Sequence, residues 1–270
     1  MRHGFTLVEL AIVLVIIGLI VGAVLTGRDL IKAAEIQSAI SEIGGYNAAA
    51  VTFRNKFGGL PGDLLAARAS RYGLADRAGS IAHGDGNGII EGCATRESAL
   101  GCETALFWID LSSAKLISED FVIGTSIADG NSLAANLATT DAMEPYLPNL
   151  ALRDTALVHA FPINDRTHFL IANVYTDASG DIQFFGQGGL APQEALNMDE
   201  KMDDGLPATG ILKAISALDA NGAGTTLDAG ASPAAAGECV NAALSPSKYN
   251  VLNDSFAIDL TCNVQLSAGF

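Results

Sequence analysis

An apolar run of 21 residues near the amino terminus, from Phe5 to Leu25, constrains the fold of this chain more than any other feature. Glu9 is its one ionisable residue, and the remainder is mainly Leu, Ile, Val, Ala and Gly. At about 1.5 Å per residue, a helix of this length reaches about 31 Å, the thickness of a bilayer's hydrocarbon core. Because only Met1–Gly4 precede the run, we expect a retained membrane anchor and not a removed secretory signal.

The carboxylate of Glu9 needs a partner in such a segment. An ionised carboxylate at the centre of a membrane span costs on the order of 2.5–3.5 kcal/mol, and less near the end of the span. The side chain could reach the lipid headgroups. A stronger interpretation is a pair with a positive group on another copy of the chain. Two unit charges at about 4 Å attract by roughly 4 kcal/mol at an effective dielectric constant of about 20.

The amino-terminal residues resemble a known signal, and they read Gly4-Phe5-Thr6-Leu7-Val8-Glu9. Together with the apolar segment behind them, they are similar to the class III signal of type IV pilins and type II secretion pseudopilins. The resemblance covers residues 1–57. It implies that a prepilin peptidase cleaves between Gly4 and Phe5 and methylates the new terminus, and that Glu9 neutralises the terminal amine of a neighbouring subunit.

One departure from many pilins leaves the choice between pilus and pseudopilus open. The helix-kinking Pro near the membrane exit is absent, because that neighbourhood reads Val24-Leu25-Thr26-Gly27. Three later segments, residues 53–63, 84–88 and 199–207, resemble a pilin-like branch that is common in bacteria, although they are short and rich in Gly and Asp.

The helix is predicted to continue to Phe57. Residues 28–57 contain no Pro, and apolar residues recur there at helical spacings: Ile36, Ile40, Ile43, Ala50, Phe53 and Phe57. We expect this face to cover a sheet, and the polar residues Arg28, Lys32, Glu35 and Glu42 to remain in water. The stop signals in residues 58–63 end the helix. The predicted organisation is a leader (1–4), a helix (5–57) whose membrane span is 5–25, and an extracytoplasmic head (58–270).

The head carries weaker signals of an α+β fold, in which the long amino-terminal helix packs on an antiparallel β-sheet. The predicted helices are Glu103–Ile117 and Ala191–Met202, separated by strands with β-branched and aromatic content. Those strands are Thr155–Phe161, His168–Tyr175, Asp181–Phe185 and a last one from Phe256 to Leu266, with a hairpin turn at Ser179-Gly180-Asp181. Residues 64–103 and 219–237 are predicted to be mainly loop.

Charge and cysteine usage favour an extracytoplasmic head. The chain has a net charge of −15, and residues 58–270 hold 10 Lys and Arg against 26 Asp and Glu. Such a surface makes nucleic acid an unlikely partner, because binding to phosphate backbones requires basic residues. The four cysteines suggest two disulfides in an oxidising compartment. Of three connectivities, we prefer Cys93–Cys102 with Cys239–Cys262, because both close short loops.

Two acidic segments are candidate Ca²⁺ sites, although no cofactor is required by the predicted function. Asp85, Asn87 and Glu91 offer oxygen ligands in a glycine-rich loop. The alternative is a tight turn in which Asp and Asn side chains bond their own backbone. The second segment contains Asp199, Asp203 and Asp204, and its alternative is a solvated helix end. The histidines His83, His159 and His168 have no metal-ligand spacing and are interpreted as ordinary surface or strand residues.

These observations predict a structural subunit of a pilus or pseudopilus and not an enzyme, because no nucleophile, phosphate-loop or dinucleotide motif is present. The expected partners are the prepilin peptidase, other copies and related pilins in a filament, and an assembly platform in the inner membrane. We expect a single-pass inner-membrane protein that later enters an extracellular or periplasmic filament. The alternatives are a surface-binding module on a pilin stem (a minor tip pilin, an adhesin or a DNA-uptake receptor) and an unprocessed single-pass enzyme.

Overall fold

The structure is a computed structural model that describes residues 7–74, 84–90, 102–121, 146–152, 156–163, 166–173, 175–176, 182–183, 189–215, 239–241, 246–251 and 262–270. Its helices are α1 (Leu7–Phe57), α2 (Ala66–Arg71), α3 (Cys102–Ser113) and α4 (Pro192–Met202). Its strands are β1 (Leu157–Ile163), β2 (Arg166–Ala172), β3 (Tyr175–Thr176), β4 (Ile182–Gln183), β5 (Leu212–Ile215), β6 (Val240–Asn241), β7 (Lys248–Tyr249) and β8 (Asn263–Ser267). The predicted α+β class is confirmed.

Helix α1 is one continuous element of 51 residues, about 76 Å long. It ends at Phe57, the residue predicted from the stop signals. Gly58 follows in the left-handed region (φ 76°), where its N–H donates to the carbonyl of Arg54 at 2.8 Å. A glycine is favoured there because a Cβ atom would be strained at positive φ.

The carboxyl-terminal half of α1, from Ile36 to Phe57, buries one face in the head. Its buried side chains recur at helical spacings: Ile36, Ala39, Ile43, Tyr46, Ala49, Ala50, Phe53 and Phe57. This face contacts α3 and α4, which in turn contact β1 and β5. The ring of Tyr46 meets the edge of Trp108, with ring centroids 5.0 Å apart. Helices α3 and α4 therefore link the buried face of α1 to the sheet.

Glu42 is not a freely solvated side chain, which corrects the expectation for that residue. It is half-buried and accepts hydrogen bonds from the hydroxyl of Tyr46 at 2.7 Å and from the N–H of Ala151 at 3.2 Å. Burial, reinforced by the carboxylates of Glu42 and Glu119, raises the pKa of Tyr46. Glu42 thus joins α1 to a loop more than one hundred residues away.

The main sheet has four antiparallel strands in the order β1-β2-β8-β5. Strands β1 and β2 form a hairpin whose register pairs Phe161 with His168. Val264 of β8 lies opposite Ile171 on one side and Ala214 on the other. The last strand of the chain is therefore an inner strand, and it joins the β1-β2 hairpin to β5.

The predicted strand His168–Tyr175 is wrong as a single element. Strand β2 ends at Ala172, because its partner β1 begins at Leu157 and offers no residue beyond that register. Tyr175 instead opens β3, which pairs with β4 in a separate two-stranded sheet. The predicted turn at residues 179–181 and the segment 256–261 lie outside the described residues.

Other boundaries also differ from the predictions. Helix α3 ends at Ser113 and not at Ile117. Lys115 has a φ of 55°, in the left-handed region, and a right-handed helix cannot continue through it. The segment predicted as loop after residue 64 contains α2, and its flanking residues Leu60, Leu64 and Ile90 are buried. Strands β5, β6 and β7 have no counterpart among the predicted strands.

Candidate functional site

The amino-terminal half of α1, which we call the stem (Leu7–Glu35), is an exposed apolar rod. Sixteen large apolar side chains between Leu7 and Ile31 are exposed, and Leu19 is 72% exposed. No residue in the most apolar window of the helix is buried inside the protein. Among the described residues, α1 is the one helix long and apolar enough to cross a membrane.

Free-energy magnitudes show that the stem cannot remain in water. Each Leu, Ile or Val side chain gains about 1.5–3 kcal/mol when it is buried. Covering all sixteen side chains would therefore gain at least about 24 kcal/mol. The stem must therefore be covered by lipid or by the apolar surfaces of other polypeptides, and it fits a membrane anchor.

The predicted processing residues Gly4 and Phe5 lie outside the described residues. Glu9 lies in the first described turn of α1, on the exposed surface of the stem. A carboxylate at this end of a helix is favourable because the helix dipole is positive there. Glu9 is therefore on an exposed surface of the stem, and its role in assembly stays a prediction.

The structure contains a disulfide between Cys239 and Cys262, the second of the two preferred pairs. The two Cα atoms are 4.8 Å apart, and the bond ties the start of β6 to the residue before β8. Cys262 also exchanges backbone hydrogen bonds with Leu190 just before α4. Cys93 lies outside the described residues, so the pair Cys93–Cys102 stays a prediction.

The first acidic site includes two residues that were not predicted, Asp63 and Glu103. One oxygen each of Asp63, Asp85 and Glu103 lie within 4.8 Å of one another. Asp63 is 2% exposed and accepts the N–H groups of Gly86 at 2.7 Å and Gly88 at 2.9 Å. Burial raises the pKa of Asp63, and these two hydrogen bonds act in the opposite direction. The buried carboxylate therefore holds the glycine-rich loop against the segment between α1 and α2.

The predicted ligands Asp85 and Asn87 are exposed and bond their own loop. Asp85 accepts the N–H of Asn87 at 2.9 Å, and Asn87 accepts the N–H of Ile89 at 2.7 Å. This is the geometry of the tight turn that was the alternative to a cation site. Glu91 lies outside the described residues, and Ca²⁺ binding stays a prediction.

Gly62 lets the segment between α1 and α2 approach α3 closely. Gly62 has a φ of 85°, and a Cβ atom on it would lie 2.3 Å from the carbonyl oxygen of Glu103. Its N–H donates to the carboxylate of Asp110 at 2.6 Å. Any larger residue at position 62 would push α3 away from the end of α1.

Asp199, in the second acidic segment, is buried, so the alternative of a solvated helix end is wrong for this residue. Asp199 is completely buried in α4 and accepts the hydroxyl of Tyr249 at 2.9 Å. Burial raises the pKa of Asp199 to about 6, although the hydrogen bond from Tyr249 opposes the shift. The carboxylate thus joins α4 to β7.

Asp203 and Asp204 follow α4 and organise the loop behind it. Asp203 accepts the N–H of Ile211, and Asp204 accepts the hydroxyl of Thr209 at 2.6 Å and the N–H of Leu206 at 2.9 Å. These hydrogen bonds hold the pKa of Asp204 below its usual range, so its exposed carboxylate stays ionised. One oxygen each of Asp199, Asp203 and Asp204 lie within 4.8 Å of one another.

His159 and His168 are strand residues, and both are buried. His159 lies in β1, where burial lowers its pKa to about 3. His168 lies in β2 and its ring nitrogen Nδ1 is 2.9 Å from the carbonyl oxygen of Arg166. Burial also lowers the pKa of His168. His83 lies outside the described residues.

Comparison with protein families identifies the amino terminus. Residues 1–25 match the family described as "Prokaryotic N-terminal methylation motif". This motif is the prepilin signal of type IV pilins and pseudopilins, and the resemblance stated from residues 4–9 is confirmed. The chain therefore has the signal of a pilin-like or pseudopilin precursor that a prepilin peptidase processes. No curated protein and no solved structure matches the chain.

Proposed function

We propose that this chain is a structural subunit of a type IV pilus or a type II secretion pseudopilus, assembled through its stem. The observation that carries the proposal is an exposed stem that is apolar from Leu7 to Leu25 except at Glu9, that belongs to a prepilin signal and that is continuous with a folded head. In a bilayer the stem is covered by lipid. In a filament the stems of neighbouring copies cover one another, and the heads form the outer surface.

Glu9 is proposed to set the register between subunits. Cleavage after Gly4 creates a positive terminal amine on Phe5 in the same apolar environment as the carboxylate of Glu9. A carboxylate and an amine that are each costly in a low dielectric become tolerable as a pair. When the amine belongs to the neighbouring copy, this pairing selects one axial offset between stems, and the same offset then repeats along the filament.

The processing step is tested by mass spectrometry of the amino-terminal peptide from the native membrane fraction. We expect a peptide that begins at Phe5 and carries one added methyl group. A peptide that begins at Met1 would leave an ordinary membrane anchor and would contradict assembly as a processed subunit.

The assembly step is tested with Glu9→Leu and the matched control Glu35→Leu. Both variants remove one exposed carboxylate from α1, but Glu35 lies at the end of the stem next to the head. We expect Glu9→Leu to remain in the membrane fraction at the wild-type level without forming filaments, whereas Glu35→Leu assembles. Normal filaments from Glu9→Leu would overturn the proposed role of the carboxylate.

A further inference from the structure

Charge is distributed unevenly over the head, and one end of the head is basic. Residues 54–71 carry four basic side chains and one acidic one, whereas the whole chain has a net charge of −15. The four basic residues, which we call the basic end, are Arg54, Lys56, Arg68 and Arg71. They lie in the last turn of α1 and in α2, at the end of the head farthest from the stem.

Two residues of the basic end line a cavity. The cavity has a volume of about 280 Å³ and is lined by both guanidinium residues Arg54 and Arg68. The other walls include the apolar residues Leu60 and Phe270, the acidic residue Asp63 and the glycine-rich loop. Its size lies at the lower end for ligand pockets, which suits one or two side chains of a partner.

The two guanidinium groups of the cavity differ in what they already bind. Arg68 donates to the carbonyl oxygen of Gly58 at 2.6 Å and so closes the end of α1. Arg54 is exposed and has no ion pair within the described part of the chain. The acidic residue of the cavity, Asp63, already accepts two backbone N–H groups and does not approach Arg54 within ion-pairing distance. Arg54 is therefore available to an outside carboxylate.

The opposite end of the head is acidic. Lys201 in α4 donates to the carbonyl oxygen of Ala33 at 3.1 Å, which places the end of α4 beside the start of the packed half of α1. The exposed carboxylates of Glu200 and Asp204 and the half-buried one of Asp203 follow there, and we call these three residues the acidic end. Residues 33 and 54 of one helix are about 32 Å apart. The two ends are therefore too distant to pair within one copy.

We propose that the basic end of one copy binds the acidic end of the next copy, so that the heads join end to end along the filament. This inference rests on the proposed function and deepens it, because it names a second contact between subunits. The two surfaces differ, so the contact is heterologous, and such a contact repeats into an open helical assembly instead of closing into a dimer. All copies share one orientation through the stem, which presents the basic end of each head towards the acidic end of another.

Cross-linking within filaments tests this contact. We would introduce Arg54→Cys and Glu200→Cys into the full chain, shear filaments from cells, and treat them with a short bismaleimide. The expected result is a ladder of covalent oligomers, because the two positions meet only between copies. The matched control combines Glu200→Cys with Lys115→Cys, an exposed position just after α3, and should give no ladder. A ladder in the control alone, or in neither variant, would overturn the end-to-end contact. It would not overturn the proposal that the chain forms filaments.

Charge reversal supplies a second test with its own control. Arg54→Glu should lower the yield of sheared filaments about threefold to tenfold, and adding Glu200→Arg should restore it. Lys115→Glu changes the net charge equally, breaks only the exposed ion pair with Asp120, and should leave the yield unchanged. An unchanged yield in Arg54→Glu overturns the contact but not the proposed function, whereas wild-type cells without filaments overturn both. Binding of duplex DNA by the full chain in detergent micelles, lost in Arg54→Glu, would assign the cavity to a phosphate polymer instead.

Discussion

The two halves of α1 share one unbroken backbone but have opposite surroundings. Between Leu7 and Leu25 the apolar residues cover the whole circumference of the helix except at Glu9, and they are exposed. Between Ile36 and Phe57 they form one stripe, which is buried against α3 and α4. The comparison teaches that the pattern of apolar residues, and not their number, decides whether a helix is covered by its own domain or by lipid and other chains. A stripe is buried by one domain, whereas a fully apolar surface requires lipid or several neighbours.

The comparison predicts that truncating a side chain has a large effect in one half and a small effect in the other. Phe53→Ala should destabilise the head by about 3–5 kcal/mol, because the fully buried ring leaves a cavity. Leu14→Ala, in the stem, should change the unfolding free energy of the head by less than about 0.5 kcal/mol. The measurement is thermal unfolding of the full chain in detergent micelles. Equal losses in the two variants would break the comparison.

Removing the disulfide should be the next largest effect, and it should be confined to the head. Cys239 and Cys262 are separated by 23 residues, and closing a loop of that length stabilises by about 3.5 kcal/mol in the chain-entropy description. The double variant Cys239→Ser with Cys262→Ser should therefore unfold at lower urea concentration but insert into membranes normally. Reducing agent added to the double variant serves as the control, because a further loss would come from another disulfide.

The buried carboxylate of Asp199 in α4 should make the stability of the head depend on pH. The folded pKa of Asp199 is about 6, above its unfolded value near 3.8. Its contribution to stability is therefore fully present below pH of about 3.8 and is lost as the pH rises through about 6. Asp199→Asn should be more stable than wild type at pH 7.5, by up to about 3 kcal/mol, with the advantage shrinking towards pH 4.

Urea unfolding at several pH values measures this difference, and Asp204→Asn is the control. Asp204 is exposed and its pKa is lowered by hydrogen bonds, so its stabilising contribution is lost only as the pH falls. An advantage of Asp199→Asn that grows towards low pH would contradict the raised pKa.

Binding of Ca²⁺ is the prediction with the smallest expected effect, and both candidate sites lie in the head. Ca²⁺ at tenfold excess over its dissociation constant would stabilise the full chain by about 1.4 kcal/mol and raise the Tm by a few degrees. Asp63→Asn and Asp203→Asn separate the two acidic sites, and Mg²⁺ serves as the control ion. An unchanged Tm on addition of Ca²⁺ would remove both sites.

The features that the sequence could predict are local, and those it could not depend on distant contacts. The end of α1 at Phe57 and the start of α4 at Pro192 follow from stop signals and from a proline at a first helical position. Strand β5 has four residues with a lysine inside, and it exists because it pairs with β8 about fifty residues later.

The acidic sites show the same limit. Asp85 was visible in a glycine-rich loop, but its neighbours Asp63 and Glu103 come from the segment between α1 and α2 and from α3. Their burial and proximity arise from packing, and neither residue has a signal in its own surroundings that distinguishes it from other acidic residues. The preferred pair Cys239–Cys262 succeeded because a short loop is a local property.

The continuity of α1 has a mechanical consequence. A helix without a joint transmits torsion as well as force, so a rotation of the stem about its axis turns the head by the same angle. An assembly machine that grips only the stem would thereby aim the outer face of every head. Tension along a filament would likewise pass from head to stem through backbone hydrogen bonds and not through a flexible hinge.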